Sequence, residues 1–181
     1  HVRTIHLEAP RGTIYDRDGQ PLAVSQPTAS VYANPRGIED PAHVAALLAP
    51  VLGRSEEELK VMLAGDSSAV CLARKIDQVS GRKVEELDIP HVWLVAEEKR
   101  VYPKGALAPQ LLGFVGTDNE GLAGIEYEYE ELLSGTPGVM RVVSDLSGNR
   151  LSTESVEEAV PGRSITLTID EDIQFETERV L

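Results

Sequence analysis

The chain has 181 residues, 30 acidic and 17 basic, and a formal net charge of -13 at pH 7. A surface this acidic repels phosphate backbones, which argues against nucleic acid as a partner, and the single cysteine, Cys71, rules out an intrachain disulfide and a Cys/His metal cage. An apolar share of 41% with mixed charge excludes a disordered chain, and the length suits one domain, or one domain with an inserted lobe.

From the start, Arg3 to Leu7 and Thr13 to Tyr15 read as strands, and Asp18-Gly19 as a hairpin turn into a returning strand at Leu22 to Val24. Thr28 to Ala33 is β-rich and stops at Asn34-Pro35. Asp40 and Pro41 open a helix as N-cap and first helical residue, with Val44, Leu47, Leu48 and Val51 as its apolar stripe and Gly53 as its end. Ser55 and Glu58 have capping-box spacing for a helix that buries Leu59 and Leu63. A strand at Ala69 to Ile76, a helix at Asp77 to Leu87 and a strand at His91 to Glu97 follow. Leu107 to Phe114 and Ile125 to Leu133 read as helices, Gly138 to Ser144 and Ser164 to Ile169 as strands. Asp170 caps a last helix whose apolar positions are Ile169, Ile173, Val180 and Leu181.

Strands and helices mix without a βαβ rhythm, so the fold class is α+β. The short first and last strands are too small to bury a face alone and are expected to share one small mixed sheet. The stretch from about Pro27 to Leu133 then forms an inserted α/β lobe. No apolar run approaches the roughly 20 residues of a membrane span. The chain begins at His1, not Met, and ends at Leu181 within a helix, so both ends are expected to be excised.

Three motifs stand in order along the chain. The first is Arg11-Gly12-Thr13-Ile14-Tyr15-Asp16-Arg17-Asp18-Gly19, followed by Leu22-Ala23. The second is Arg100-Val101-Tyr102-Pro103-Lys104-Gly105, and the third the Gly-rich run Leu112-Gly113, Gly116, Gly121-Leu122-Ala123-Gly124-Ile125-Glu126. Together they resemble the N-terminal segment of class B penicillin-binding proteins, with Asp18 in place of the usual Asn, a change a tight turn tolerates. Leu167-Thr168-Ile169-Asp170 with Gln174 resembles the junction into that family's transpeptidase domain.

The resemblance implies a non-catalytic pedestal, or dimerisation domain, over residues 1–169, with residues 170–181 the truncated start of the transpeptidase domain. It also implies a parent held in the bacterial cell membrane by an upstream anchor, with this domain on the extracytoplasmic side. Expected partners are its own transpeptidase domain and membrane-embedded proteins of cell-wall synthesis or division; no cofactor or metal is expected. The motif residues singled out as structural are Arg11, Gly12, Asp16, Arg17, Gly19, Arg100, Tyr102, Pro103, Gly113, Gly124 and Glu126. Among them Asp16, Arg17, Arg100 and Glu126 are expected to join in an ion-pair network.

The family's nucleophile motif Ser-x-x-Lys has a lookalike in Ser80-Gly81-Arg82-Lys83, and Ser147-Gly148-Asn149 mimics the second signature. Both precede the junction and no Lys-[Ser/Thr]-Gly accompanies them, so they read as a polar helix residue and a turn. Asp16-x-Asp18-Gly19 is only a fragment of a calcium loop and reads as a turn. Glu56-Glu57-Glu58, Glu97-Glu98 and Glu128 with Glu130-Glu131 read as solvated acidic faces, with a second possibility left open, a small extracytoplasmic hydrolase using a carboxylate pair. Cys71 reads as a small buried hydrophobe and Trp93 as lobe packing.

Overall fold

The computed structural model describes residues 2–105, 109–144 and 150–180. The chain falls into two compact units. One comprises His1–His6, Pro27–Glu97 and Val139–Val156; the other comprises Leu7–Gln26, Glu98–Gly138 and Glu157–Leu181. The lobe expected over about 27–133 is thus divided, with residues 98–133 grouped with 7–26.

In chain order the elements are β1 (Val2–Leu7), β2 (Ile14–Tyr15), β3 (Pro21–Ala33), α1 (Pro41–Leu52), α2 (Glu56–Leu63), β4 (Val70–Ile76), α3 (Gln78–Glu86), β5 (Val92–Val101), α4 (Pro109–Leu112), α5 (Gly124–Glu128), α6 (Glu130–Leu133), β6 (Gly138–Ser144), β7 (Arg150–Glu157), β8 (Ile165–Thr166) and α7 (Glu171–Val180). Helices and strands mix in an α+β fold, but the terminal strands do not share one sheet. β1 lies in a three-stranded sheet of order β1-β6-β7, and β8 in a five-stranded one of order β4-β3-β2-β8 with β5 on β3. Sequence-remote pairing is still the rule: β2 and β8 run parallel with Ile14 opposite Ile165.

In the first unit, α1 starts where the sequence dictates. The Asp40 carboxylate accepts from the His43 N–H, Pro41 occupies the first turn, and Gly53 ends the helix in a left-handed conformation at φ 61°. Asp77 caps α3 in the same way, accepting from the Val79 and Ser80 amides. The Ser55/Glu58 capping box does not form: Ser55 makes no side-chain cap bond, and Glu58 lies 3.5 Å from Arg54 instead. Val44, Ala45 and Leu48 of α1, Leu59 and Leu63 of α2 and Val84 of α3 close over Val31, Ala33 and Leu72 of the sheet. The β3–β4 register shifts between Ala29 and Val31, near where the Lys75 N–H, at φ 50°, donates to the buried Ser30 hydroxyl at 3.0 Å. The side chain thus replaces a lost ladder partner.

In the second unit the core is Ile14, Leu22, Ala23, Leu112 and Leu133, with Tyr102, Ile125, Ile165 and Leu167 against it. The expected helix at Leu107 to Phe114 is reduced to α4; residues 107 and 108 lie outside the described residues. α4 stops because Gly113, at φ 75°, turns the chain away. The helix expected from Ile125 to Leu133 is two pieces, broken at Tyr129 with φ -107° and ψ 26°. β7 has no counterpart in the sequence reading, because Arg-Leu-Ser-Thr-Glu-Ser-Val-Glu carries little apolar alternation. α7 forms with the Asp170 carboxylate accepting from the Ile173 N–H, and Ile173 and Phe175 are exposed on it. The turn read at Ser147-Gly148-Asn149 and the stripe position Leu181 fall outside the described residues.

Candidate functional site

The densest concentration of buried polar groups lies in the second unit, where the three sequence motifs meet. Arg11 enters it from the loop before β2. Its N–H donates to the Ser25 hydroxyl at 2.9 Å, which in turn donates to the Arg11 carbonyl. Gly12 donates its N–H to the Leu133 carbonyl at 2.8 Å, and a Cβ at Gly12 would collide with the Arg163 carbonyl. The motif needs glycine there because backbone occupies the side chain's place.

Arg11 is 4% exposed, and each of its three guanidinium nitrogens is engaged. Nε donates to Glu126 Oε2 at 2.7 Å, Nη1 to the Asn119 carbonyl at 2.9 Å, and Nη2 to the Glu126 carbonyl at 2.7 Å and to Glu130 Oε2 at 2.6 Å. Arg100 comes from β5; its Nε donates to Glu126 Oε1 at 2.7 Å and its Nη1 to the Arg11 carbonyl at 3.4 Å, while its buried Nη2 has no hydrogen-bond partner among the described residues. The Tyr102 hydroxyl, two residues on and so on the same side of the strand's end, donates to Glu126 Oε1 at 3.3 Å. Glu126, with no exposed surface, therefore accepts from three side chains. Two guanidinium charges face two carboxylates, so the cluster is neutral as a whole, the arrangement buried charge requires.

The electrostatics follow from this geometry. Burial works against the Arg11 cation, but its hydrogen bonds to Glu130 and Glu126 outweigh that and raise its pKa. Burial works against the Glu130 anion, but the Arg11 hydrogen bond and the Gly121 N–H hold its carboxyl below the usual range. Burial first, then the Glu126 charge, pushes the Tyr102 hydroxyl up to about 12. The folded state keeps that proton longer than the unfolded chain does. Tyr102 therefore leaves stability unchanged below its ordinary value of 10.0 and withdraws it as pH rises from there to about 12. An alkaline titration followed by tyrosinate absorbance is expected to show a late phase near pH 12 that belongs to Tyr102. That late phase should vanish in Tyr102→Phe; its persistence would assign the shift to another ring.

Not every motif residue joins the cluster. Asp16 and Arg17, expected in the network, stand apart from it. Asp16 is buried in its own turn, where Oδ1 accepts from the Asp18 and Gln20 amides at 2.9 and 2.7 Å. Arg17 points to solvent and reaches Asp170 at 2.9 Å. The reason is local: an Asp at the head of a tight turn is used by the turn's own N–H groups. Gly19 supplies that turn's φ of 82°. Pro103 sits in a turn closed by the Gly105 N–H on the Tyr102 carbonyl. Gly113 and Gly124 pack backbone to backbone, which fixes the start of α5 and hence Glu126.

Two members went unnoticed in the sequence. Glu130 was read as part of a solvated acidic face; its spacing of four from Glu126 was the available signal. Asn119, left-handed at φ 60°, donates through Nδ2 to Glu8 at 2.8 Å and to the Glu98 carbonyl at 2.6 Å, and its position beside Asp118 marks only a turn.

Of the acids considered for a hydrolase, Glu130 is engaged with Arg11 and Glu97 with Arg74 at 2.8 Å, while Glu56, Glu57, Glu128 and Glu131 are exposed on the surface. Ion pairing favours the carboxylate, whereas a general acid needs its proton held, so the carboxylate-pair alternative finds no support. Among the described residues no group of three or more His, Cys, Asp or Glu is placed to hold a metal ion. Trp93 stacks on Tyr32 with ring centroids 6.1 Å apart. Cys71 is half-buried beside Tyr32 rather than in the core, and burial raises its thiol pKa, which leaves it a poor nucleophile. No helix among the described residues is long and apolar enough to cross a membrane.

What the cluster does is fasten three remote segments, which is a structural role within a scaffold. Known proteins place that scaffold. The model of the penicillin-binding protein dimerisation domain family matches residues 6–167, and the chain belongs to that family. It is 32% identical to stage V sporulation protein D of Bacillus subtilis over 99% of this chain and 28% of that protein. It is also 32% identical to the peptidoglycan D,D-transpeptidase FtsI of Buchnera aphidicola over 95% of this chain and 32% of that protein. The chain thus spans about a third of the length of these relatives. The fold is shared with a penicillin-binding protein (PBP2) from Helicobacter pylori solved in complex with MreC, at a TM-score of 0.70 and 22% identity, over 99% of this chain and 38% of that one.

Proposed function

We propose that the chain is the pedestal and interaction module of a class B penicillin-binding protein, carrying a serine D,D-transpeptidase domain that cross-links peptidoglycan and is acylated by penicillin. The observation that carries this reading is the family match over residues 6–167, ending just past β8. The naming of a relative as a peptidoglycan D,D-transpeptidase supports the activity of the longer protein. The pedestal runs to residue 169, and residues 170–181 begin the transpeptidase domain. A segment before His1 anchors the protein in the bacterial cell membrane, with this domain on the extracytoplasmic side. Its partners are that transpeptidase domain and membrane-bound proteins of cell-wall synthesis or division, as the relative in complex with MreC suggests by analogy.

The site supports a mechanical part for this chain. Arg11, Arg100 and Glu126 are buried and bond to one another and to backbone groups, which supports a part in holding segments together. The chain alone, incubated with a fluorescent penicillin, is expected to keep its intact mass. The longer protein is expected to gain one adduct in the part beyond Leu181. An adduct on Ser80 or Ser147 would refute the non-catalytic assignment, and a longer protein that takes up no penicillin would refute the transpeptidase one.

A further inference from the structure

From Gly105 to Met140 the sequence contains no lysine, arginine or histidine, but it holds the carboxylates Asp118, Glu120, Glu126, Glu128, Glu130 and Glu131. Two of these turn inward onto the arginine cluster. Glu120, Glu128 and Glu131 are exposed. The same segment carries large apolar side chains open to water: Leu111 at 45%, Phe114 at 55%, Leu122 at 51% and Tyr127 at 65%. They belong to neighbouring pieces of the second unit. α4 packs on α5. The antiparallel bridge of Val115 with Gly121 sets Phe114 opposite Leu122, tied by the Leu122 N–H to the Phe114 carbonyl at 2.9 Å. Directly opposed residues of an antiparallel pair project to one face. Single exposed apolar residues are ordinary, but several on adjoining elements mark a contact surface.

We infer that this surface docks a basic amphipathic segment of another protein, apolar side chains against Phe114 and Leu122 and lysines or arginines against Glu120 and Glu128. The inference deepens the interaction-module reading and rests on it. Charge selects the occupant. A second copy would bring the same cation-free segment, and a two-fold contact would set acid against acid. An anionic lipid surface would be repelled. A basic partner gains both apolar burial and charge complementarity, and it would associate faster at low salt.

The test uses two synthetic amphipathic helices, one of leucine and lysine and one of leucine and glutamate, titrated into the isotope-labelled chain. The leucine–lysine peptide is expected to shift amides between residues 110 and 132, and the leucine–glutamate peptide to leave them unmoved. Phe114→Ser combined with Leu122→Ser should weaken binding about tenfold or more with the melting temperature kept, since both side chains are exposed. A control, Glu56, Glu57 and Glu58 all changed to Gln on α2, should bind as the parent does. Equal weakening in that control would reduce the effect to overall charge and overturn the inference. So would shifts confined to other residues, equal binding of the leucine–glutamate peptide, or a concentration-dependent dimer that the serine pair abolishes. Protection of the same amides in the longer protein without peptide would assign the surface to its own downstream domain, and would also overturn it. Penicillin uptake is read separately, so failure here leaves the transpeptidase reading to its own test.

Discussion

Glu126→Ala is expected to destabilise the folded chain by about 3–5 kcal/mol, the usual cost of removing one partner from a buried ion pair. The loss is large because one carboxylate serves two guanidinium groups: Arg11 at Oε2 and Arg100 at Oε1, both at 2.7 Å. Alanine leaves both cations desolvated, with Glu130, a half-exposed acid, still answering Arg11 but Arg100 deprived of its Glu126 partner. In a chain of this size each kcal/mol moves the melting temperature by about 2–4 °C, so a fall of at least about 6 °C should be seen by calorimetry. Arg17→Ala serves as the contrast. Its pair with Asp170 is exposed on the arginine side, and exposed pairs contribute about 0–1 kcal/mol. A Glu126→Ala protein that melts with its parent would mean the buried cluster contributes no more than the surface pair.

Gly113→Ala is expected to cost roughly 2–4 kcal/mol through two effects that add. The residue has φ 75°, where an L side chain is strained, and a Cβ there would run into the Ala123 carbonyl. Backbone cannot swing aside as a long side chain can, so relief would require moving Gly124 and the start of α5, and with them Glu126. Gly53→Ala separates the effects. Gly53 has φ 61° but open space around it, so only the conformational part, about 1 kcal/mol, should appear. Equal losses in the two variants, measured by denaturant unfolding, would show that the contact with Ala123 exerts no strain. In the motif Gly113 to Glu126, then, the glycine and the glutamate are expected to fail together: a displaced α5 is a displaced carboxylate.

Much of this protein was legible without coordinates, and the legible part is of one kind. The N-caps Asp40 and Asp170, the stop at Gly53, the turn at Asp16 to Gly19 and the buried faces of α1 and α2 depend on residues within about four positions of one another. Hydrogen-bond reach and helical period alone decide them. The order of the three motifs likewise identified the family before any contact was known. The tertiary structure decided what lies beyond that range. Arg11 meets Glu126 across 115 residues, and nothing local distinguishes it from Arg17, which carries the same charge six residues on and ends half-exposed on Asp170. Only the path of the chain, with Gly12 held against Leu133 and Arg163, puts one guanidinium inside and leaves the other out. The division of the strands into two sheets and the polar strand β7 are of the same kind. Each is set by which distant backbone offers the missing hydrogen bond, and a short sequence window contains no record of it.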